Sequence, residues 1–141
     1  MSMSEDELFM SSVVPYRILV LCIGNTCRSI MYEAIYKDKF KNKPNIEITS
    51  AGFNANEKSI SQSAKHVLSK YNIPISKEIP TNTNSLNDLI YDEIIVLDKK
   101  YGIIDLKAIK HKKASFYDIE DPKGRSIKVY EDVYSKLFEI I

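Results

Sequence analysis

The sequence predicts a single α/β domain built on a central four-stranded parallel sheet, with helices packed on it in three layers. Three observations carry this prediction. The chain has 141 residues, the size of one compact domain that buries enough surface to need no disulfide staples. Two short, nearly unbroken apolar runs, Arg17-Ile-Leu-Val-Leu21 and Glu93-Ile-Ile-Val-Leu97, suit strands covered on both faces, as in parallel sheets. Between and after them, apolar residues recur at helical spacing, giving the order βαβαβαβα, which argues for parallel strands with helical crossovers on both faces.

Residues 1–14 read as an N-terminal extension, acidic at first, with Leu8, Phe9 and Met10 available for packing; residues 15–141 read as the domain. The first strand, Arg17–Leu21, runs into the turn-prone Gly24-Asn25-Thr26. A helix follows with Met31, Ala34, Ile35 and Phe40 on one face and Ser29 as its expected N-cap. Ile46–Ser50 alternates as a half-buried second strand ending at Ala51-Gly52. Ala64, Val67, Leu68 and Tyr71 mark a second helix, stopped by Asn72 and Pro74. A short helix is expected over Leu86–Tyr91, the third strand over Glu93–Leu97, a lysine-rich helix after it, and a fourth strand over Ala114–Tyr117. Val129, Val133, Leu137, Phe138 and Ile141 predict a closing helix.

Composition narrows the function classes. Apolar residues make up 44% and charged residues 28%, and 20 Lys+Arg against 19 Asp+Glu leave a net charge of +1, which disfavours a basic nucleic-acid binder. No run of 18 apolar residues predicts a membrane span, and the acidic start does not read as a signal peptide. Two cysteines fit a reducing compartment, so the expected location is the cytoplasm. His66 and His111 are read as surface or helix residues, and Lys107, Lys110, Lys112 and Lys113 as a solvated helix face.

In parallel α/β folds ligands bind beyond the carboxyl ends of the strands, which directs attention to the loop Cys22-Ile-Gly-Asn-Thr-Cys-Arg28-Ser29. Its amides can curl around an oxyanion, and the following helix aims its positive dipole end at the same point. Gly24 and Asn25 are residue types that tolerate left-handed backbone. The loop has neither GxxxxGK[ST] nor GxGxxG, so it is no nucleotide loop of those kinds. A thiol at the mouth of such a cradle is expected to ionise readily. The fork of Arg28 can hold two phosphoryl oxygens, and the hydroxyl of Ser29 can donate to the thiolate. Taken alone, a cysteine at a strand end is more often a small buried apolar residue, and it is the surrounding loop that favours a nucleophile at Cys22.

At this point the chain resembles the low-molecular-weight protein tyrosine phosphatase family, from Ile18 to the C-terminus. The family loop V-C-x-G-N-x-C-R-S appears as Leu21-Cys-Ile-Gly-Asn-Thr-Cys-Arg-Ser29, and the late Asp-Pro as Asp121-Pro122. Weaker landmarks are Ser50-Ala51-Gly52 and Leu97-Asp98. The resemblance implies a flavodoxin-like fold of the phosphotyrosine phosphatase I type and a hydrolase acting on phosphotyrosine proteins or small aryl phosphates. Cys22 is then the nucleophile that forms a phosphocysteine intermediate. Arg28 clamps the phosphoryl group with Ile23, Gly24, Asn25, Thr26, Cys27 and Ser29 of the loop, and Asp121 is the general acid and base. Ser50 supports Asn25, Asp98 orients Arg28 or the acid loop, and Cys27 is able to pair with Cys22 on oxidation. The resemblance further implies that inorganic phosphate, sulfate or vanadate binds in the loop, that no cofactor or metal is used, and that the protein is a monomer.

Two departures bear on the substrate. Tyrosine-specific members carry aromatic residues after the Asp-Pro, where this chain has Lys123-Gly124, so Phe53 or Tyr117 is expected to wall the pocket. The stretch Asp121-Pro-Lys-Gly-Arg-Ser-Ile-Lys-Val-Tyr130 is closer to the protein-arginine phosphatase branch, but that branch carries Thr after the nucleophile, whereas Ile23 is aliphatic and favours phosphotyrosine. Ile30 replaces the usual helix-starting Pro, and the tyrosine pair that some members phosphorylate is missing. Among rivals, a thioredoxin-coupled arsenate reductase needs further cysteines, and none follows Cys27. A catalytically dead phosphate-binding module is disfavoured by the presence of Cys22, Arg28 and Asp121 together. A flavodoxin-like electron carrier is the third rival, testable by flavin absorbance.

Overall fold

In the computed structural model, residues 14–86, 88–98 and 106–141 are described. Four strands, β1 (Tyr16–Cys22), β2 (Ile46–Gly52), β3 (Tyr91–Val96) and β4 (His111–Phe116), form one sheet in the order β2-β1-β3-β4. Every pairing is parallel: Tyr16 sits opposite Ile46 and Cys22 opposite Gly52, Leu21 opposite Val96, and Val96 opposite Phe116. The carboxyl ends therefore line up along one edge. The strand order reverses between β1 and β3, and such switch points open the crevice where ligands bind.

The apolar run of β1 works as a doubly covered strand. Ile18 and Val20 enter one core, with Met31, Ile35, Val67, Leu68, Val133 and Leu137. Leu19 and Leu21 enter the other, with Ile94, Val96 and Leu106, as the two-residue period of a strand requires. Helices α1 (Arg28–Lys39), α2 (Gln62–Lys70) and α3 (Ile127–Ile140) all contribute to the first core. Phe53, Leu86, Ile109 and Phe116 pack on the second.

Several expectations are corrected. The first helix starts one residue before Ser29, with Cys27 at its N-cap. No helix spans Leu86–Tyr91: a 3-10 turn occupies Thr83–Ser85, and Tyr91, buried, already begins β3. Leu86, Leu89 and Ile90 do fall at helical spacing, but parallel pairing with β1 and β4 draws the chain from Tyr91 onward into the sheet. The lysine-rich helix face is not formed: Lys107 lies in a turn, Lys110 just before β4, and Lys112 and Lys113 in β4, an edge strand whose solvent side accepts charge; residues 99–105, and 1–13 of the extension 1–14, lie outside the described residues. On α3 the buried stripe is Tyr130, Val133, Tyr134 and Leu137, while Phe138 is half exposed. Tyr130 and Tyr134 add to the expected stripe because an aromatic ring fills the core although its hydroxyl is polar, and the Tyr130 hydroxyl meets Ser61.

Candidate active site

The loop from Cys22 to Arg28 leaves the central strand β1 and enters α1. Its shape follows from where its carbonyls go. The oxygens of Cys22, Ile23, Thr26 and Cys27 accept hydrogen bonds from the amides of Phe53 (3.0 Å), Asn54 (2.8 Å), Ser61 (3.0 Å) and Met31 (2.9 Å). Each peptide is trans, so a carbonyl turned outward aims the next N–H the opposite way. The amides of Ile23, Gly24, Cys27 and Arg28 thus face the hollow of the loop. Helix α1 adds its own N-terminus: Cys27 makes no side-chain cap and the first turn holds no acidic residue. Its leading N–H groups and dipole are left for an anion. Helix α2, by contrast, is capped by the hydroxyl of Ser61.

Asn25 is the hub of the loop. It is fully buried and takes the left-handed conformation, φ 52°, which Asn tolerates better than other side-chain-bearing residues; Gly24 does not take it. Its Nδ2 donates to Ser29 Oγ (2.7 Å) and Ser50 Oγ (2.9 Å), and its Oδ1 accepts from the Thr81 amide (2.8 Å). Ser29 Oγ lies 2.9 Å from Cys22 Sγ. Ser29 Oγ accepts from Asn25 and keeps its own proton, which it can donate to the sulfur.

Arg28 is buried, and its Nη1 donates to the carbonyl of Ile119 (2.8 Å) and to Asp98 Oδ2 (3.2 Å), with Leu97 O at 3.4 Å. Its Nη2 lies 3.8 Å from Asp121 Oδ2. Asp98, at the carboxyl end of β3, thus meets the guanidinium rather than the acid loop. The Asp121 carboxylate is half exposed, and its Oδ1 accepts from the amide of Lys123 (3.1 Å), a local turn that fixes its direction.

These groups converge on a cavity of about 190 Å³ lined by Cys22, Ile23, Gly24, Thr26, Cys27, Arg28, Asn54, Asn56, Glu57, Asp121 and Lys123. Both cysteines are free thiols. Cys27 Sγ lies 3.4 Å from the hydroxyl of Tyr130, which also accepts from Ser61 Oγ (3.1 Å). Burial and the Cys27 sulfur push the Tyr130 phenol up to about 12. Across the mouth, Lys123 Nζ meets Glu57 Oε1 at 2.7 Å, and this ammonium holds the Glu57 carboxyl below its ordinary range. Glu120 pairs with Arg125 in solvent (2.8 Å) and Asp118 is exposed.

The expectation that Phe53 or Tyr117 walls the pocket is not met. Phe53 packs against one core and Tyr117 against the other, and neither lines the cavity. Each stands one residue beyond its strand, β2 or β4, and its ring packs on an apolar layer of the sheet instead of the loop. A larger groove of about 380 Å³ lies toward the amino ends of the strands, between Arg17, Glu47, Leu89 and Tyr91, and no cysteine is among the described residues that line it. Sequence reading missed Asn54, Asn56 and Glu57, whose polar loop carries no motif. It also missed Glu33, Lys77 and Thr81 behind the Cys22 loop; the one available signal was a glutamate at position 33 inside the apolar stripe of α1.

Comparison with known proteins agrees with this geometry. The chain is 32% identical over 144 residues to a protein-arginine-phosphatase of Geobacillus stearothermophilus, covering 91% of this chain and 93% of the relative. It is 27% identical over 135 residues to the low molecular weight protein-tyrosine-phosphatase PtpB of Staphylococcus epidermidis, covering 89% and 94%. The structure of a low molecular weight protein tyrosine phosphatase from T. tengcongensis superposes with a TM-score of 0.74 at 27% identity, covering 88% of this chain and 93% of that one. With the family model for low molecular weight phosphotyrosine protein phosphatases matching residues 17–140, the loop, the buried arginine and the parallel sheet have one common account: the chain belongs to that family.

Proposed function

We propose that the protein hydrolyses phosphotyrosine in proteins, or small aryl phosphates, by two displacements at Cys22. The observation that carries this is the convergence of Cys22, Arg28 and Asp121 on one cavity, with Ser29 Oγ 2.9 Å from the sulfur. In the first displacement the Cys22 thiolate attacks phosphorus, an S–P bond forms, the bond to the phenolic oxygen breaks, and Asp121 gives that oxygen its proton. In the second, Asp121 takes a proton from water, the water oxygen bonds to phosphorus, and the S–P bond breaks. The Ser29 hydroxyl donates to the departing thiolate. Throughout, the inward amides and Arg28 hold the equatorial oxygens, where fixed dipoles stabilise the spread charge. The other residues assigned to this loop, Ile23, Gly24, Asn25, Thr26 and Cys27, bind through their backbone or brace it, and Ser50 and Asp98 act from behind.

On this reading the loop also binds inorganic phosphate, sulfate or vanadate. The protein works in the cytoplasm as a monomer, its catalytic domain spans 15–141, and oxidation joins Cys22 to Cys27. Among the described residues no helix is long and apolar enough to cross a membrane. The decisive experiment is phosphate release from a phosphotyrosine peptide under reducing conditions, wild type against Cys22→Ser, with acid-quenched capture of the phosphocysteine. Vanadate-sensitive turnover lost in Cys22→Ser supports the reading; equal traces refute it.

A second reading, phosphoarginine as substrate, has one observation in its favour. Among the described residues no aromatic lines the cavity, and Asn54, Asn56, Glu57 and Lys123 make its mouth polar. A paired phosphoarginine peptide in the same assay separates the two, and Ile23 at the floor argues for phosphotyrosine.

A further inference from the structure

The first two turns of α1, Arg28 to Ile35, are buried all round. Of their polar members, Arg28 and Ser29 serve the cavity, but Glu33 does not line it. Glu33 is buried, and its Oε1 makes no hydrogen bond. The cation nearest that oxygen is Lys77, Nζ to Oε1 3.9 Å, and the other oxygen takes Lys37 at 3.3 Å. A lysine is seldom drawn inward without a task, and the partners of Lys77 define one. Its ammonium donates to the Ser50 carbonyl (2.6 Å) and to Thr81 Oγ1 (2.9 Å).

Ser50 and Thr81 are the two residues outside the loop that hold the Asn25 side chain, through Ser50 Oγ (2.9 Å) and the Thr81 amide (2.8 Å). The Thr81 carbonyl in turn accepts from the amide of Gly52 (2.8 Å). These three side-chain bonds tie down Asn25 in its left-handed conformation, and the third of them meets Ser29, which lies against Cys22. The chain of contacts is therefore Glu33, Lys77, then Ser50 and Thr81 together, then Asn25, Ser29 and the sulfur.

We propose that Lys77, braced by Glu33, is a positioning residue for the nucleophile: a partly buried ammonium behind the loop that holds Ser50 and Thr81, and through them Asn25 and Ser29, against Cys22. The proposal rests on the reading of Cys22 as nucleophile and deepens it. An ammonium suits the position because it has three donors and no acceptor, two of which are used on neutral oxygens while the charge faces the Glu33 carboxylate. The charge also reaches the site. Burial holds the Lys77 ammonium below the ordinary lysine range; Glu33 opposes this, Lys37 adds to it, and the Cys22 sulfur opposes it.

The test compares Lys77→Met, Lys77→Arg and Lys37→Met in the full chain by kcat and KM on a phosphotyrosine peptide. The rate of Cys22 alkylation by iodoacetamide at pH 6 and pH 9 is followed in parallel by peptide mass spectrometry. Lys77→Met is expected to lower kcat at least tenfold with KM changed less than threefold. It should slow alkylation about tenfold at pH 6 while the pH 9 rates stay within twofold. Lys77→Arg recovers most of both, and Lys37→Met, an exposed cation on the far oxygen of Glu33, stays within twofold of wild type. Lys77→Met that melts earlier yet keeps the wild-type kcat and alkylation profile overturns the proposal in favour of a purely structural lysine. Should Lys77→Met fail to fold, Thr81→Val, which removes one acceptor and keeps the backbone bonds, is expected to lower kcat about threefold; unchanged kcat there also overturns it. Alkylation needs no phosphatase turnover, so this result stands apart from the Cys22→Ser comparison that judges the function.

Discussion

Gly52 and Gly24 make a discriminating pair, because the loop glycine and the strand-end glycine exchange the roles that inspection of the motif would give them. A Cβ on Gly52 would lie 2.5 Å from the Ile23 carbonyl oxygen, 2.8 Å from the Asn25 nitrogen and 2.9 Å from the Gly24 carbonyl carbon. All three are backbone atoms of the catalytic loop, so no side chain can swing aside. To regain an ordinary contact the Ile23 peptide must retreat by roughly 0.9 Å, since the normal limit is near 3.4 Å; this breaks its bond from the Asn54 amide. Overpacking of this kind costs about 1–3 kcal/mol, a fall in Tm of roughly 3–10 °C for a domain of this size. Misplacement of a reacting group by about 1 Å costs roughly 100-fold in rate. At Gly24 the nearest atom to a new Cβ is Thr26 Oγ1 at 3.6 Å, and its backbone is not left-handed, so alanine fits. Thermal melts of both variants, with kcat/KM on a phosphotyrosine peptide for Gly52→Ala, check the argument. Gly52→Ala within threefold of wild-type kcat/KM and within 1 °C in Tm would refute the claim that β2 sets the loop by direct backbone contact.

Other consequences follow from the same geometry. Asp121→Asn is expected to lower kcat about 10²- to 10⁴-fold on phosphotyrosine, the range for loss of a general acid, and far less on an aryl phosphate whose leaving group needs no proton; stopped assays with the two substrates read the difference. Asp98→Ala removes the buried counter-ion of Arg28, and breaking such a pair costs about 3–5 kcal/mol, measurable as a lowered urea midpoint. Ile23→Thr is expected to raise the ratio of phosphoarginine to phosphotyrosine turnover, read with the paired peptides. Tyr130 is held neutral by burial up to about 12, against 10.0 for the free phenol. Its raised value means that it stabilises the fold fully below pH 10 and that this contribution is lost as pH rises from about 10 to about 12. Urea midpoints at pH 9, 11 and 12 should show a shallower decline in Tyr130→Phe, shallower by a part only, because burial raises Tyr32 as well.

Reading the chain in one dimension succeeds where a single local pattern carries the information. The apolar run of β1, the Gly-Asn turn and the helical spacing after it are local, and together they place Cys22, Arg28 and Ser29 at a strand-to-helix junction beside an anion-binding hollow. Asp121-Pro122 is legible only through its family resemblance, because Asp-Pro serves equally as a turn. Asp98 was read as facing either Arg28 or the acid loop; the structure has its carboxylate on Arg28.

What escaped the sequence is what depends on contacts between distant residues. Thr81 lies 56 positions from Asn25, and Lys77 lies 27 from Ser50, and no periodicity encodes either meeting. The walls of the cavity were misjudged for the same reason: a residue's distance along the chain from Asp121 says nothing of which side of the sheet its ring faces, and Phe53 and Tyr117 turned to opposite cores. Fold class and the Cys22–Ser29 loop were set by short-range pattern, since a buried strand and a tight strand-to-helix loop each need particular residues in succession. The support behind the loop and the polar mouth in front of it were decided only when parallel pairing brought the carboxyl ends of β1, β2 and β3 to one edge, because hydrogen bonds and ion pairs form between whatever side chains that packing leaves within about 3 Å.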